Sequence, residues 1–394
     1  MDEQVPAREV VRDPVGLVEK FEPLRHPAIL LPADLFQGER CNSRGLDLTS
    51  AQVVVRLKQE IAGYQADQIG VEPGENSQDL SGTLAVIRNP ADNDCVVGKI
   101  MTATADDVHH AAEQAHRARQ EWDELGGEGR AKILERVADL LEGNQSRLMA
   151  LLSSEAGKSL PDGLAEVREA VDFCRYYAGQ ARDYFSAATA LPGPTGENNE
   201  LSLHGRGTFV CISPWNFPLA IFTGQVAAVL AAGNPVLAKP AEQTPLIAFE
   251  AVKLMHQAGV PAEVLHLLPG DGAVVGPMLT TQPLISGVVF TGSTATAKII
   301  HRALANRPGP IVPLIAETGG QNVMFVDSTA LLEQVTDDVI RSAFISAGQR
   351  CSALRVLYLQ EEIADRVCQA HAQIPFDHES GLSTCCNRKL ITEL

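Results

Sequence analysis

The chain has 394 residues, 45% of them hydrophobic, and a formal net charge of −17. That length allows two or more domains around a large core. The acidic balance excludes a nucleic-acid surface, which needs clustered Lys and Arg, and no apolar run reaches the length of a membrane-spanning helix.

Residues 1–80 read as an arm and linker. Prolines at 6, 14, 23, 27 and 32 break up helices, and one amphipathic helix is predicted from Thr49 to about Gly63 on Val53, Val54, Leu57 and Ile61. Met1-Asp2-Glu3-Gln4 lacks the apolar stretch of a signal peptide. The polar run Gly70 to Gly82 is predicted to be loop.

Leu84–Ile87 and Val96–Ile100, split by Asn89-Pro90, predict a β-hairpin. Thr104 and Asp107 form a capping-box pattern before a helix with the apolar stripe Val108, Ala111, Ala112, Ala115 and Trp122. A second helix is predicted from about Arg130 and a third through Leu148–Leu152. A long one follows from Pro161 to Phe185, whose aromatics Phe173, Tyr176, Tyr177 and Tyr184 are expected to pack in the core. Gly157-Lys158-Ser159 has the ending of a phosphate-binding loop, but Leu152 stands where that motif needs Gly, which rejects it. A hairpin is predicted at about 187–206, around Pro192–Gly196.

From Phe209 short apolar strands alternate with helices, which predicts an α/β fold with a Rossmann-type, mostly parallel sheet. Ligands of such sheets bind beyond the carboxyl ends of the strands. Four strand ends carry polar or glycine-marked runs: Ser213-Pro214-Trp215-Asn216; Lys239-Pro240-Ala241-Glu242; Pro269 to Gly276; and Phe290-Thr291-Gly292-Ser293. The glycine run has GxGxxxG rather than GxGxxG spacing and gains weight only from standing between a strand and a helix. Gly292 and Ser293 stand at a helix start, where N–H groups and the dipole favour phosphate.

Two further runs put a carboxylate and a thiol in glycine-marked turns: Glu317-Thr318-Gly319-Gly320-Gln321-Asn322, and Gly348-Gln349-Arg350-Cys351-Ser352. A nucleophilic cysteine must be accessible, and a nearby carboxylate can activate water for a second step. Taken singly, a cysteine is more often a packed core residue and a glutamate a solvated one. The eight cysteines (41, 95, 174, 211, 351, 368, 385 and 386) contain no Cys-x-x-Cys pair; no metal is expected, and free thiols fit a reducing cytoplasm.

Both runs, in this order, resemble the active-site signatures of the aldehyde dehydrogenase superfamily. The resemblance implies Glu317 as general base, Cys351 as nucleophile and Asn216 as an oxyanion donor beside the Cys351 backbone N–H. It implies NAD bound by Ser213, Pro214, Trp215, Lys239, Ala241, Glu242, Gly272, Gly276, Phe290, Thr291, Gly292, Ser293, Thr318 and Gly319. Lys239 and Glu242 would meet the adenosine ribose, and a carboxylate there favours NAD over NADP. The hairpin at 187–206 implies a homo-oligomer.

Residues 165–177 and 317–367 resemble the L-glutamate γ-semialdehyde (1-pyrroline-5-carboxylate) dehydrogenase module of the bifunctional proline utilization A enzymes, and residues 25–48 resemble their linker. This implies oxidation of that aldehyde to L-glutamate in proline catabolism, with a flavin-dependent proline dehydrogenase as partner. The expected layout is an arm (1–80), an NAD-binding domain (81–318) and a partial catalytic domain (319–394).

The resemblance stops near Val367, and residues 368–394 read as a frame change or a diverged end. A C-terminally truncated catalytic domain with low or no activity is therefore expected. The alternative is an inactive NAD-binding or docking module. A cysteine hydrolase ranks lower: it needs a histidine, and His301 and His371 lie in no motif.

Overall fold

The computed structural model describes residues 13, 15–16, 26, 28–36, 38–66 and 80–372. The loop expected at 70–79, most of the prolines of the arm, the His371 side chain and the tail with Cys385 and Cys386 lie outside these residues. Residues Met1–Arg44 and Gly45–Leu394 form separate compact units. In the first, a 3-10 turn spans Pro32–Asp34, and the Arg40 guanidinium stands 3.7 Å above the Phe36 ring.

The second unit begins with helix α1 (Ala51–Ala66), which buries Leu57 and Ile61. Strands β1 (Leu84–Asn89) and β2 (Asp92–Met101) form the expected antiparallel hairpin. Helix α2 (Ala105–Glu124) has the expected capping box: Thr104 Oγ1 accepts from Asp107 N, and Asp107 Oδ2 accepts from Thr104 N at 2.8 Å. Its buried stripe is the one read from the sequence.

Helix α3 (Gly126–Gly143) starts four residues earlier than Arg130. Its glycine-rich first turn reads as a helix breaker, yet it lets α3 approach the next long helix. A Cβ on Gly127 would stand 2.0 Å from the Ala181 carbonyl oxygen. Arg130 is buried and donates to the carbonyls of Trp122, Asp123 and Ala231.

Helices α4 (Gln145–Ala156) and α5 (Leu160–Phe185) meet at Gly157, left-handed with φ 65°, and at Ser159, whose hydroxyl caps α5. The aromatic expectation for α5 is corrected here: Tyr176 and Tyr184 are exposed. The inward stripe is instead small, with Ala170, Cys174, Ala178 and Ala181. Small residues let α5 lie close to its neighbours, and Tyr176 and Tyr184 turn outward, while Phe173 stands against Gly224 and Tyr177 packs against the core as expected.

Strands β3 (Thr189–Leu191) and β4 (Asn199–Leu201) form a two-stranded antiparallel ribbon with Leu191 and Leu201 exposed. A parallel five-stranded sheet follows, of β5 (Thr208–Ile212), β6 (Val236–Lys239), β7 (Leu265–Leu267), β8 (Ile285–Gly292) and β9 (Leu314–Thr318). Its order is β7-β6-β5-β8-β9. The chain winds outward to β7, then returns to the other side of β5, so the crevice of the reversal lies between β5 and β8.

Side chains alternate across this sheet as the pleat requires. Val210 and Leu237 point into one core with α2, α8 (Gly272–Thr280) and α9 (Thr294–Ala305). Cys211, Val236 and Ala238 point into the other, with α6 (Ala220–Ala231) and α7 (Pro245–Gln257).

Beyond Gly319-Gly320 a second sheet begins. Strands β10 (Asn322–Val326) and β11 (Leu354–Leu359) pair in parallel. Helices α10 (Leu332–Phe344) and α11 (Glu361–Ala372) lie beside them around a small core of Val326, Val335, Val339, Leu354, Ile363 and Val367.

Candidate active site

The five strands of the large sheet end at one edge, in Ser213, Lys239, Leu268, Ser293 and Glu317 or just beside them. Glu317 pairs with Thr291 near the end of β9 and is exposed. Five residues on, Asn322 opens β10, and its amide donates to the Cys351 carbonyl at 2.8 Å and to the Ala353 carbonyl at 3.0 Å. The glycine turn therefore ties the strand of the carboxylate to the backbone of the thiol. Five residues span at most ~18 Å even when fully extended.

Cys351 is exposed. The turn before it is unusual: Ser346 (φ 56°, ψ 36°), Ala347 (φ 54°, ψ 29°) and Gly348 (φ 68°) are all left-handed. Each non-glycine residue held there costs about 1–3 kcal/mol, which the surroundings must offset. Arg355 donates to the Gly348 carbonyl at 3.0 Å, and Gln349 N donates to the Ser346 carbonyl at 3.0 Å. Lys158 Nζ donates to Ser346 Oγ at 3.0 Å.

Asn216 follows β5 and is three residues short of the N-cap of α6, Leu219. Its amide does not cap that helix; it donates to the Gln349 carbonyl at 2.6 Å. The structure thus brings Asn216 to the cysteine loop and the strand of Glu317 to the same loop, through two separate side-chain amides.

The proposed cofactor residues form two groups. In the first, Lys239 is buried and lies 3.6 Å from the Glu242 carboxylate. Burial holds its ammonium below the usual lysine range, with Glu242 and Asp271 opposing that. Ala241 beside them is buried. Gly272 opens α8, with Asp271 as its cap. A Cβ on Gly272 would lie 3.7 Å from Glu242 Oε2 and 3.9 Å from Lys239 Nζ. Glycine thus keeps the space beside this pair open. Ser213 N donates to the Lys239 carbonyl at 3.1 Å, while its buried Oγ has no partner among the described residues. A ribose or phosphate edge fits this combination of an orphan hydroxyl, a cation, a carboxylate and a helix start. Pro214 and the exposed Trp215 continue the loop, and Gly276 stands one turn into α8 with open space around it.

The second group is the end of β8. Thr291 Oγ1 accepts from Gln225 Nε2 at 2.8 Å, and Ser293 Oγ caps α9 by accepting from Thr296 N at 3.1 Å. Phe290 turns inward. Its ring is buried in the core under the turn, where a Cβ on Gly292 would meet it at 2.6 Å. The ring shapes the floor of the turn. Thr318 and Gly319 continue from Glu317 toward β10.

A family model described as "Aldehyde dehydrogenase family" matches residues 77–374. The chain belongs to the aldehyde dehydrogenase family. Among curated members, it is 48% identical over 373 residues to the bifunctional protein PutA of Klebsiella aerogenes, covering 92% of this chain and 27% of that protein. It is 39% identical over 282 residues to the 1-pyrroline-5-carboxylate dehydrogenase of Anoxybacillus flavithermus, covering 71% of this chain and 55% of that enzyme. A solved proline utilization A structure with proline bound in remote sites superposes with a TM-score of 0.79 at 48% identity, over 94% of this chain and 34% of that one. The 1-pyrroline-5-carboxylate dehydrogenase from Thermus with bound NAD gives 0.79 at 31% identity, over 84% and 65%. The chain thus spans about a quarter of the curated PutA relatives it matches.

Within this family fold, sequence reasoning missed the side chains that hold the site together. Asn322 stands inside the Glu317 signature without a role of its own, and Lys158 offers only the ending of a phosphate-binding loop. Glu166 lies within the family-like stretch 165–177 but is not singled out there, and Gln225 has no motif signal. His301, the histidine considered for a hydrolase, lines a groove on α9 with Lys298, Leu304 and Ile311, and no residue of the Cys351 loop lines that groove.

Proposed function

We propose that this chain is an NAD-dependent aldehyde dehydrogenase module that oxidises L-glutamate γ-semialdehyde to L-glutamate. The observation that carries the reading is the pair of amide hydrogen bonds, Asn216 to Gln349 and Asn322 to Cys351, which tie the oxyanion-donor loop and the strand that follows Glu317 to the backbone of the cysteine loop. The relatives named 1-pyrroline-5-carboxylate dehydrogenase support the substrate. The PutA relatives support a place in proline catabolism beside a proline dehydrogenase. The exposed β3–β4 ribbon supports homo-oligomer contact, since a lone two-stranded ribbon is marginal in water.

In this reading the Cys351 thiolate attacks the aldehyde carbon, forming a C–S bond and an oxyanion. The Asn216 amide and the Cys351 backbone N–H donate to that oxyanion, and losing one such donor typically lowers the rate about 10²–10³-fold. NAD, when bound, supplies the hydride acceptor that takes this intermediate to a thioester. Glu317 then takes a proton from water as the water attacks the thioester carbon, and the C–S bond breaks to release the acid and the thiolate. Residues 81–318 hold the dinucleotide, with Lys239 and Glu242 at the ribose hydroxyls, and residues from 319 carry the nucleophile. The Glu242 carboxylate suits a free 2′-hydroxyl and repels a 2′-phosphate, which favours NAD over NADP.

A second reading is an inactive NAD-binding or docking module. It draws on the outer face of the β10–β11 sheet, where Phe325 is 75% exposed and stacks on Tyr358 at 4.7 Å. Parallel sheets are normally covered on both faces. The purified chain separates the two. NADH formation with the semialdehyde, lost in Cys351→Ala, supports the enzyme. A thermal shift with NAD but no NADH supports the docking module.

A further inference from the structure

Lys158 is buried between Gly157, the left-handed stop of α4, and Ser159, the cap of α5. Its ammonium group makes four contacts from three parts of the chain. It lies 3.1 Å from Glu166 Oε1 on α5, and both side chains are almost wholly buried. It donates to the backbone carbonyl of Asn216. It donates to Ser346 Oγ at 3.0 Å, in the left-handed turn before Cys351. It also lies 4.3 Å from the centre of the Phe217 ring, next to Asn216.

Glu166 is anchored in turn. Its Oε2 accepts from Leu219 N at 3.1 Å and from Ala220 N at 3.3 Å, at the start of α6. One carboxylate thus fixes the helix that follows Asn216 and the cation that grips Asn216 and Ser346. Burial pushes the Glu166 carboxyl up, and Lys158 with the two backbone N–H groups works against that. The phosphate-loop idea for Gly157-Lys158-Ser159 fails, because the ammonium is already committed to protein atoms.

We infer that Lys158, held by Glu166, is a positioning residue that locks the Asn216 loop and the Ser346–Gly348 turn into one register, so that oxyanion donor and nucleophile face the same point. This rests on the proposed dehydrogenase reading for its kinetic consequence, but its geometric consequence can be read without turnover. Ser346 and Ala347 are not glycines, so their left-handed backbone persists only while something holds it. Lys158 links that turn to the loop of the oxyanion donor, beside the Asn216–Gln349 hydrogen bond and the Arg350 guanidinium 5.4 Å from the Phe217 ring. Neither Lys158 nor Glu166 is assigned contact with the substrate or the reacting atoms.

The test uses Lys158→Met, Lys158→Arg and the double variant Lys158→Met/Glu166→Gln. Lys158→Met alone strands a buried carboxylate and is expected to fold poorly. The double variant removes both charges and is expected to keep the fold by circular dichroism. Ser346→Ala, which removes a single contact, serves as the second probe. The first readout is the iodoacetamide alkylation rate of Cys351, resolved by mass spectrometry against the exposed thiols Cys41 and Cys95 as internal references. In the folded double variant this rate is expected to change about fivefold or more, and in Ser346→Ala in the same direction by less, with the references unmoved. The second readout is kinetic: kcat falls about tenfold or more while KM for the aldehyde stays within about threefold, as expected for misplacement of reacting groups. Lys158→Arg restores part of both. A folded double variant or Ser346→Ala protein with wild-type Cys351 alkylation overturns the inference. If the wild-type chain forms no NADH, the functional reading fails, and the alkylation result still decides the role of Lys158.

Discussion

Asn322 holds Cys351: one side-chain amide donates to the carbonyl oxygens of Cys351 and Ala353, at 2.8 and 3.0 Å. The contact fixes the backbone of the thiol from the strand that follows Glu317. Asn322→Ala removes both hydrogen bonds, at a typical net cost of about 0.5–1.5 kcal/mol each, since water can reach the exposed Cys351 carbonyl. The expected outcome is a kcat/KM lowered by about tenfold or more, because displacements of the order of 1 Å are expensive in catalysis. Steady-state kinetics of the variant, with circular dichroism to verify the fold, checks this.

The cofactor preference is predicted to reside in Glu242, 3.6 Å from Lys239 at the end of β6. Removing the charge in Glu242→Gln keeps the shape and lifts the repulsion of a 2′-phosphate. The ratio of NAD to NADP efficiency is expected to fall by about tenfold, equivalent to ~1.4 kcal/mol of discrimination. Parallel kcat/KM measurements with the two dinucleotides give the answer, and an unmoved ratio would place the discrimination elsewhere.

A buried carboxylate sets a pH dependence of stability. Glu155 is 2% exposed, and burial pushes its carboxyl from 4.5 up to about 8, although it accepts from Leu246 N and Ile247 N at the start of α7. With the folded value above the unfolded one, the folded state binds more protons between the two. The contribution of Glu155 is therefore fully present below 4.5 and is lost as pH rises through about 8. His266 acts in the opposite sense at lower pH. Burial depresses it from 6.5 to about 4, so its contribution is present above 6.5 and is lost as pH falls toward 4. From pH 6.5 to 9 only the Glu155 effect operates between these two groups. Glu155→Gln is expected to flatten the fall of Tm over that range, and a variant with the wild-type slope would refute the assignment.

Much of this architecture is legible in the residues, and the exceptions have physical causes. The helix Thr294–Ala305 and the capping box at Thr104 and Asp107 show because Gly, Ser and Thr punctuate apolar runs. The inward face of α5 does not show, because Ala170, Cys174 and Ala178 give a weaker signal than Tyr176 and Tyr184, which lie outside. The early start of α3 is hidden by glycines that serve a close approach at Gly127. At the site, Glu317 and Cys351 stand out through their signatures. The left-handed turn does not, since Ser346 and Ala347 have no intrinsic preference for it. Lys158, far away in sequence, is one of the groups that hold it, and such a long-range contact has no periodicity to betray it.

In the proposed reaction the thiol at 351 and the carboxylate at 317 act in sequence. Rapid-mixing measurement of NADH formation by Glu317→Gln, with saturating semialdehyde and NAD, tests it most directly. The expected result is a burst of about one NADH per chain followed by near arrest, because the amide cannot take the proton from water and the thioester persists on Cys351. Sustained turnover at the wild-type rate would contradict it, as would a burst that survives Cys351→Ala.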